Sequence, residues 1–182
     1  MSRLLAAALV VGLATAASAD DSKLKVKEGD AFPDVPLAAA QIEKAAPSKD
    51  AKTVSIADLK GKIVVIFFYP KALTGGCTVE SCGFRDLSEK FPKDVVVIGA
   101  SADDQKLQNQ FIEKNMLPFA LLCDTDMKLI QSLGIQSPKG KVPQRVTFVV
   151  GKDGKIAKIY DKVTPKSHPE EVLAFVTELS KK

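Results

Sequence analysis

Six consecutive apolar residues, Ile63-Val64-Val65-Ile66-Phe67-Phe68, stand between Gly61 and Pro70. The run is β-branched and aromatic and too short for a helix of its own, so it predicts a strand. It lacks any alternation of apolar with polar residues, so both of its faces must be buried, as in a parallel sheet. Such a strand needs paired neighbours and a covering layer above and below. A second run, Val95-Val96-Val97-Ile98-Gly99-Ala100, makes the same demand. Between the two lies a stretch from Cys77 to about Phe91, with Val79, Cys82, Gly83 and Leu87 at helical spacing. Pro92-Lys93-Asp94 ends it.

The rest of the chain continues the alternation. Ser101 or Asp103 can cap a helix over about 104–115, with Leu107, Phe111 and Ile112 on its apolar face. Phe119 to Cys123 predicts a short strand, and Asp124 to Leu133 a helix stopped by Gly134. Val146–Val150 and Lys155–Asp161 flank Gly151-Lys152-Asp153-Gly154 as a hairpin. Ser167-His168-Pro169-Glu170 reads as a capping box, with His168 a solvated neighbour of the cap. The helix it opens carries Val172, Phe175, Val176 and Leu179 on one face. Residues 38–53, rich in Ala, Lys and Ser, read as a surface insertion. The class is α/β, a sheet with helices on both faces.

At 182 residues the chain has the length of one domain. A net charge of +4, dispersed along the chain, points to no nucleic-acid partner. Residues 1–19 predict a secretory signal peptide: Arg3, then small and apolar residues from Leu4 to Ala16, then Ala17-Ser18-Ala19 before Asp20. As a membrane anchor the run is short. The expected domain is therefore 20–182, in an exported protein, most simply of a bacterial periplasm, with no stable membrane association. Three cysteines are an odd number, so one thiol at least is unpaired within the chain.

Cys77 falls where the buried strand turns into the helix. The first N–H groups of a helix lack intrahelical partners and, with the macrodipole, favour negative charge. A cysteine there is drawn towards thiolate, the nucleophilic form. Thr74 can cap the helix or donate its hydroxyl to the sulfur. Gly75 and Gly76 leave room for close approach. Cys82 lies five positions on. On an intact helix the two Cα atoms are roughly 8–9 Å apart and about 140° around the axis. A disulfide needs Cα atoms within about 7 Å. Either the two never bond, or the helix unwinds so that they can.

Pro70-x-x-x-Thr74-x-x-Cys77 resembles the peroxidatic motif of peroxiredoxins. The run on through Cys82-Gly83-Phe84-Arg85-Asp86 is similar to the Q type, also called the bacterioferritin comigratory protein type. The resemblance extends from Gly29-Asp30-Ala31-Phe32-Pro33 to the C-terminus, and Arg145, in Arg145-Val146-Thr147-Phe148, matches the family's active-site arginine. Gly75 stands where Q-type members usually carry proline, and Ala72-Leu73 replaces a more polar pair.

The resemblance implies a thioredoxin-like fold with a central mixed sheet, and a peroxidase that needs neither metal nor organic cofactor. Cys77 would attack hydrogen peroxide or an alkyl hydroperoxide and become a sulfenic acid. Cys82 would condense with it to an intramolecular disulfide, and a thioredoxin-like protein would restore the thiols. Arg145 would stabilise developing charge, Thr74 would orient sulfur or peroxide, and Pro70 would shield the nucleophile. The expected state is a monomer or weak dimer. Cys123, ending an apolar strand, reads as a small buried hydrophobe.

Other readings fit less well. A static disulfide between Cys77 and Cys82 is opposed by their helical spacing. Zinc ligation lacks a C-x-x-C pair, and His168 is remote in sequence. A thiol–disulfide oxidoreductase of the same fold, acting on protein cysteines, would normally show C-x-x-C or C-x-x-x-C, whereas the spacing here is C-x-x-x-x-C. A copper-delivery module would need a histidine placed beside the cysteines.

Overall fold

The computed structural model describes residues 24–46, 48 and 50–182. The expected signal peptide, residues 1–19, lies outside the described residues. Six strands form one mixed sheet in the order β1-β4-β3-β2-β5-β6. They are β1 Ala39–Ala40, β2 Ile63–Phe68, β3 Val95–Ser101, β4 Leu121–Cys123, β5 Val146–Val150 and β6 Ile156–Tyr160. Among the described residues four α-helices accompany them: α1 Gly75–Asp86, α2 Gln105–Asn115, α3 Lys128–Leu133 and α4 His168–Ser180.

The apolar run from Ile63 is β2, central and buried over its whole length. It pairs in parallel with β3 and antiparallel with β5. Successive side chains of a strand point to opposite faces, and β2 divides accordingly. Val64, Ile66 and Phe68 join one apolar cluster with Ile98, Phe148, Ile130 and Leu133. Ile63, Val65, Phe67 and Tyr69 join the other, with Phe84, Phe111, Val172 and Val176. The first cluster is closed by α3 and the chain before β2, and the second by α1, α2 and α4. This is the thioredoxin-like α/β architecture.

Several local expectations are corrected. The segment 38–53 is not a plain surface insertion: Ala39 and Ala40 are buried and pair antiparallel with β4 at the edge of the sheet. The buried face of α1 is Cys77, Glu80, Ser81 and Phe84, whereas Val79 is 49% exposed. Helical spacing alone could not say which stripe faced the sheet, and the buried one carries a carboxylate and a hydroxyl. Asp104, not Ser101 or Asp103, caps α2, with its carboxylate accepting from Leu107 N–H at 2.8 Å.

His168 is not solvated. It is fully buried, with Nε2 2.8 Å from Thr147 Oγ1, and burial lowers it to about 4. Ser167 makes no cap hydrogen bond to the backbone; its hydroxyl donates to the Glu171 carboxylate at 2.8 Å instead.

Phe84 fastens α1 to the sheet by stacking on Phe67 with ring centroids 4.6 Å apart. Truncation there empties a site with no solvent access. Phe84→Ala is expected to lose about 3–5 kcal/mol of stability, read as a lower urea midpoint with an unchanged slope.

Candidate active site

Cys77 is positioned from both ends of a short loop. After Tyr69, the segment Pro70–Thr74 turns the chain from β2 into α1, with Leu73 in the left-handed region at φ 61°. A buried polar chain secures that turn. The Tyr69 hydroxyl donates to Gln108 Oε1 at 2.5 Å, and Gln108 Nε2 donates to Ser101 Oγ at 2.8 Å. The Ser101 hydroxyl donates to Asp103 Oδ2 at 2.8 Å, and the same oxygen accepts from Ala72 N–H at 2.7 Å. Asp103 therefore holds the peptide next to the strained residue. Thr74 is extended, at φ −95° and ψ 155°, and its carbonyl accepts from Thr78 N–H at 2.9 Å, opening α1.

The Cys77 sulfur, 1% exposed as a residue, faces the guanidinium of Arg145. Arg145 precedes β5, whose pairing with β2 brings its side chain across to α1. Arg145 Nη2 donates to Cys77 Sγ at 3.2 Å. Arg145 Nη1 donates to Glu80 Oε2, an ion pair with a fully buried carboxylate. A Cβ at Gly76 would lie 3.4 Å from Arg145 Nη2, so the missing side chain leaves the guanidinium its room. Burial pushes Glu80 up to about 7 against the attraction of Arg145. An arginine stays charged in any such setting. One fixed positive charge thus faces two groups able to carry negative charge, a sulfur and a carboxylate.

A thiol beside a fixed cation, at the start of a helix and at the end of a buried strand, is built for nucleophilic sulfur chemistry. The family model for AhpC/TSA matches residues 29–159. The peroxiredoxin Bcp of Bacillus subtilis is 40% identical over 154 residues, covering 78% of this chain and 98% of that protein. Among solved structures, the peroxidoxin BcpB of Mycobacterium tuberculosis is 28% identical, with a TM-score of 0.72 over 84% of this chain and 97% of that one. The bacterioferritin comigratory protein of Xanthomonas campestris, solved in connection with its alkyl peroxide reduction activity, is 26% identical, with a TM-score of 0.72 over 86% and 98%. The chain belongs to the peroxiredoxin Q/Bcp family. It is a thiol-dependent peroxidase.

In this peroxiredoxin all three cysteines are free thiols. Cys82 is half-buried on α1, with its thiol 3.7 Å from Asn115 Oδ1. Arg85 reaches from the same helix to donate to Asn115 O at 2.7 Å. α1 is intact between Cys77 and Cys82, so the pair stands at helical separation. Cys123 lies in β4, and burial pushes its thiol up to about 11.

Thr74 differs from expectation in one respect. Its hydroxyl donates to Lys71 O at 2.9 Å, so the hydrogen is committed away from the sulfur and only the lone pairs remain on offer. Pro70 is half-buried directly after Tyr69. Sequence reasoning missed Glu80 and the chain from Tyr69 to Asp103. Glu80 left a trace: it lies three residues after Cys77 and four before Phe84, a charge on what proves to be the buried stripe.

The raised Glu80 has a stability consequence. Between about 4.5, its ordinary value, and about 7 the folded protein holds a proton that the unfolded chain has released. The associated stabilisation is complete below that window and is lost as pH rises through about 7. Glu80→Gln should therefore flatten the fall in melting temperature between about pH 5 and pH 8. Above about pH 7 it should also slow peroxide attack by about ten- to a hundredfold, because a neutral amide holds Arg145 less firmly than the carboxylate does. Thermal scans across pH and stopped-flow peroxide kinetics read the two effects.

Proposed function

We propose that Cys77 is the peroxidatic and Cys82 the resolving cysteine of an exported hydroperoxide reductase recycled by a thioredoxin-like protein. The observation that carries this reading is the 3.2 Å hydrogen bond from Arg145 to the buried sulfur at the start of α1. The cation stabilises negative charge on Cys77 before attack and on the departing oxygen during it. The Cys77 sulfur attacks one peroxide oxygen and the O–O bond breaks. The second oxygen takes a proton and leaves as water or an alcohol, and Cys77 becomes a sulfenic acid.

Thr74 then acts as an acceptor. With its hydrogen bonded to Lys71, its oxygen can receive the O–H of the incoming peroxide and orient it. Pro70 removes one N–H from the approach to the sulfur and limits the entry of water. The alkyl peroxide activity named for the Xanthomonas campestris relative supports a substrate range that includes organic hydroperoxides. The signal-like residues 1–19 support export to a bacterial periplasm, with a thioredoxin-like reductant of that compartment.

Single-cysteine variants separate the roles. Cys77→Ser should abolish peroxide consumption with dithiothreitol. Cys82→Ser should consume about one equivalent and then stall when the reductant is a protein dithiol. Cys123→Ser should turn over at the wild-type rate, since burial keeps that thiol protonated. A stall in Cys123→Ser instead would transfer the resolving role to that residue.

Gly75 governs how readily α1 opens. It is the first residue of the helix, where proline is well tolerated, and no atom lies within 4 Å of a Cβ built there. The extended Thr74 before it also suits a following proline. Gly75→Pro should stiffen the folded helix, slow disulfide formation and raise the yield of sulfinic acid after a peroxide pulse. Mass spectrometry of the two proteins compares those yields, and equal yields would show that opening is not limited at Gly75.

A further inference from the structure

Gly83 follows Cys82 directly and faces α4. A Cβ built on Gly83 would lie 2.7 Å from Pro169 Cγ, so the proline ring is pressed against the backbone of α1 at this point. Pro169 is the second residue of α4 and has a rigid φ. His168 before it is anchored on three sides. Its Nε2 is 2.8 Å from Thr147 Oγ1 on β5, and its ring meets Phe84 edge-on at 5.9 Å and Tyr160 at 5.1 Å. Nδ1 of the same ring is buried without a hydrogen-bond partner. Withdrawing the proline would pull on a buried imidazole whose one hydrogen bond ties it to the sheet, and breaking that bond inside the protein is costly.

The resolving step needs the opposite movement. Cys82 cannot reach Cys77 while α1 is helical. When Cys82 moves, Gly83 moves with it and leaves the proline ring. The hydrogen bond from Arg145 to Cys77 does not pass through Pro169. The contact therefore belongs to the folded helix and not to the group that attacks peroxide.

We infer that Pro169, held in place by His168 and Thr147, is a positioning residue for resolution: it holds α1 closed and sets how fast Cys82 reaches oxidised Cys77. The inference rests on the pairing of Cys77 with Cys82 proposed above. In the governed step the Cys82 sulfur attacks the sulfur of the Cys77 sulfenic acid. The S–S bond forms, the S–O bond breaks, and the hydroxyl leaves as water with the proton of the Cys82 thiol.

The test uses the reduced full chain mixed with equimolar hydrogen peroxide, quenched at intervals with acid and an alkylating reagent, and read by mass spectrometry. Pro169→Ala should form the intrachain disulfide about fivefold faster and give less sulfinic acid, while free Cys77 is consumed at an unchanged rate. A merely structural loss would not divide the two steps in this way. Thr147→Val, which releases His168 without touching α1, should shift the same ratio in the same direction and serves if Pro169→Ala folds poorly. Gly83→Ala should lower the melting temperature far more in the native background than in Pro169→Ala, because the clash is removed. Equal disulfide rates in all of these variants would overturn the inference. If the unsubstituted protein forms no Cys77–Cys82 disulfide at all, the pairing itself fails and takes the inference with it, a result visible before any variant is made.

Discussion

The guanidinium of Arg145 stands between the Cys77 sulfur and the Glu80 carboxylate, and the site is arranged around that shared charge. An arginine cannot neutralise itself by losing a proton, so a half-buried one such as Arg145 is best met by acceptors. Glu80 meets it from the buried face of α1, and Cys77 meets it one turn earlier on the same helix. Glu80 is fully buried and Arg145 only partly so, so the carboxylate depends on the guanidinium more than the reverse. The arrangement therefore fixes the rotation of α1 on the sheet. The Phe84 ring, stacked on Phe67, holds that rotation from the apolar side.

Much of the remaining structure serves to keep α1 in place. From β3 and α2, the chain Tyr69–Gln108–Ser101–Asp103 secures the left-handed turn at Leu73. From β5 and α4, Thr147 and His168 seat Pro169 against Gly83. Both polar networks are wholly or largely buried, where a satisfied hydrogen bond is strong and an unsatisfied one costly. Yet a helix held this firmly separates Cys77 from Cys82. The glycines offset the fastening. Gly75 and Gly83 lower the cost of opening, since glycine favours the unfolded chain. Gly83 has a second reason to be glycine, because no side chain fits between α1 and Pro169.

The layers, and a cysteine at the turn into α1, were legible from the order of residues alone. Ile63–Phe68 and Val95–Ala100 are apolar without alternation, and only strands buried on both faces suit such runs. Residue type and neighbours were enough to place Cys77 at a strand-to-helix turn, because backbone geometry near a helix start is local. The hairpin and the stop at Gly134 were legible for the same reason. Arg145 was legible through its resemblance to a family motif. Nothing in its neighbourhood along the chain announces a partner on α1, 65 residues from Glu80.

Which stripe of α1 is buried, and with it the role of Glu80, emerges only from the packing of the folded chain. A carboxylate at helical spacing reads as a surface charge until the facing surface is known to carry a cation. Packing also decided the fate of His168, which looks like a solvated cap neighbour in sequence and is buried against Thr147 in the fold. Ala39 and Ala40 became a strand only because β4 offers an edge for them to pair with. In each case the deciding partner lies far along the chain, on another element. Hydrogen bonds and ion pairs of that kind depend on distances in space, and local propensity and periodicity carry no information about them.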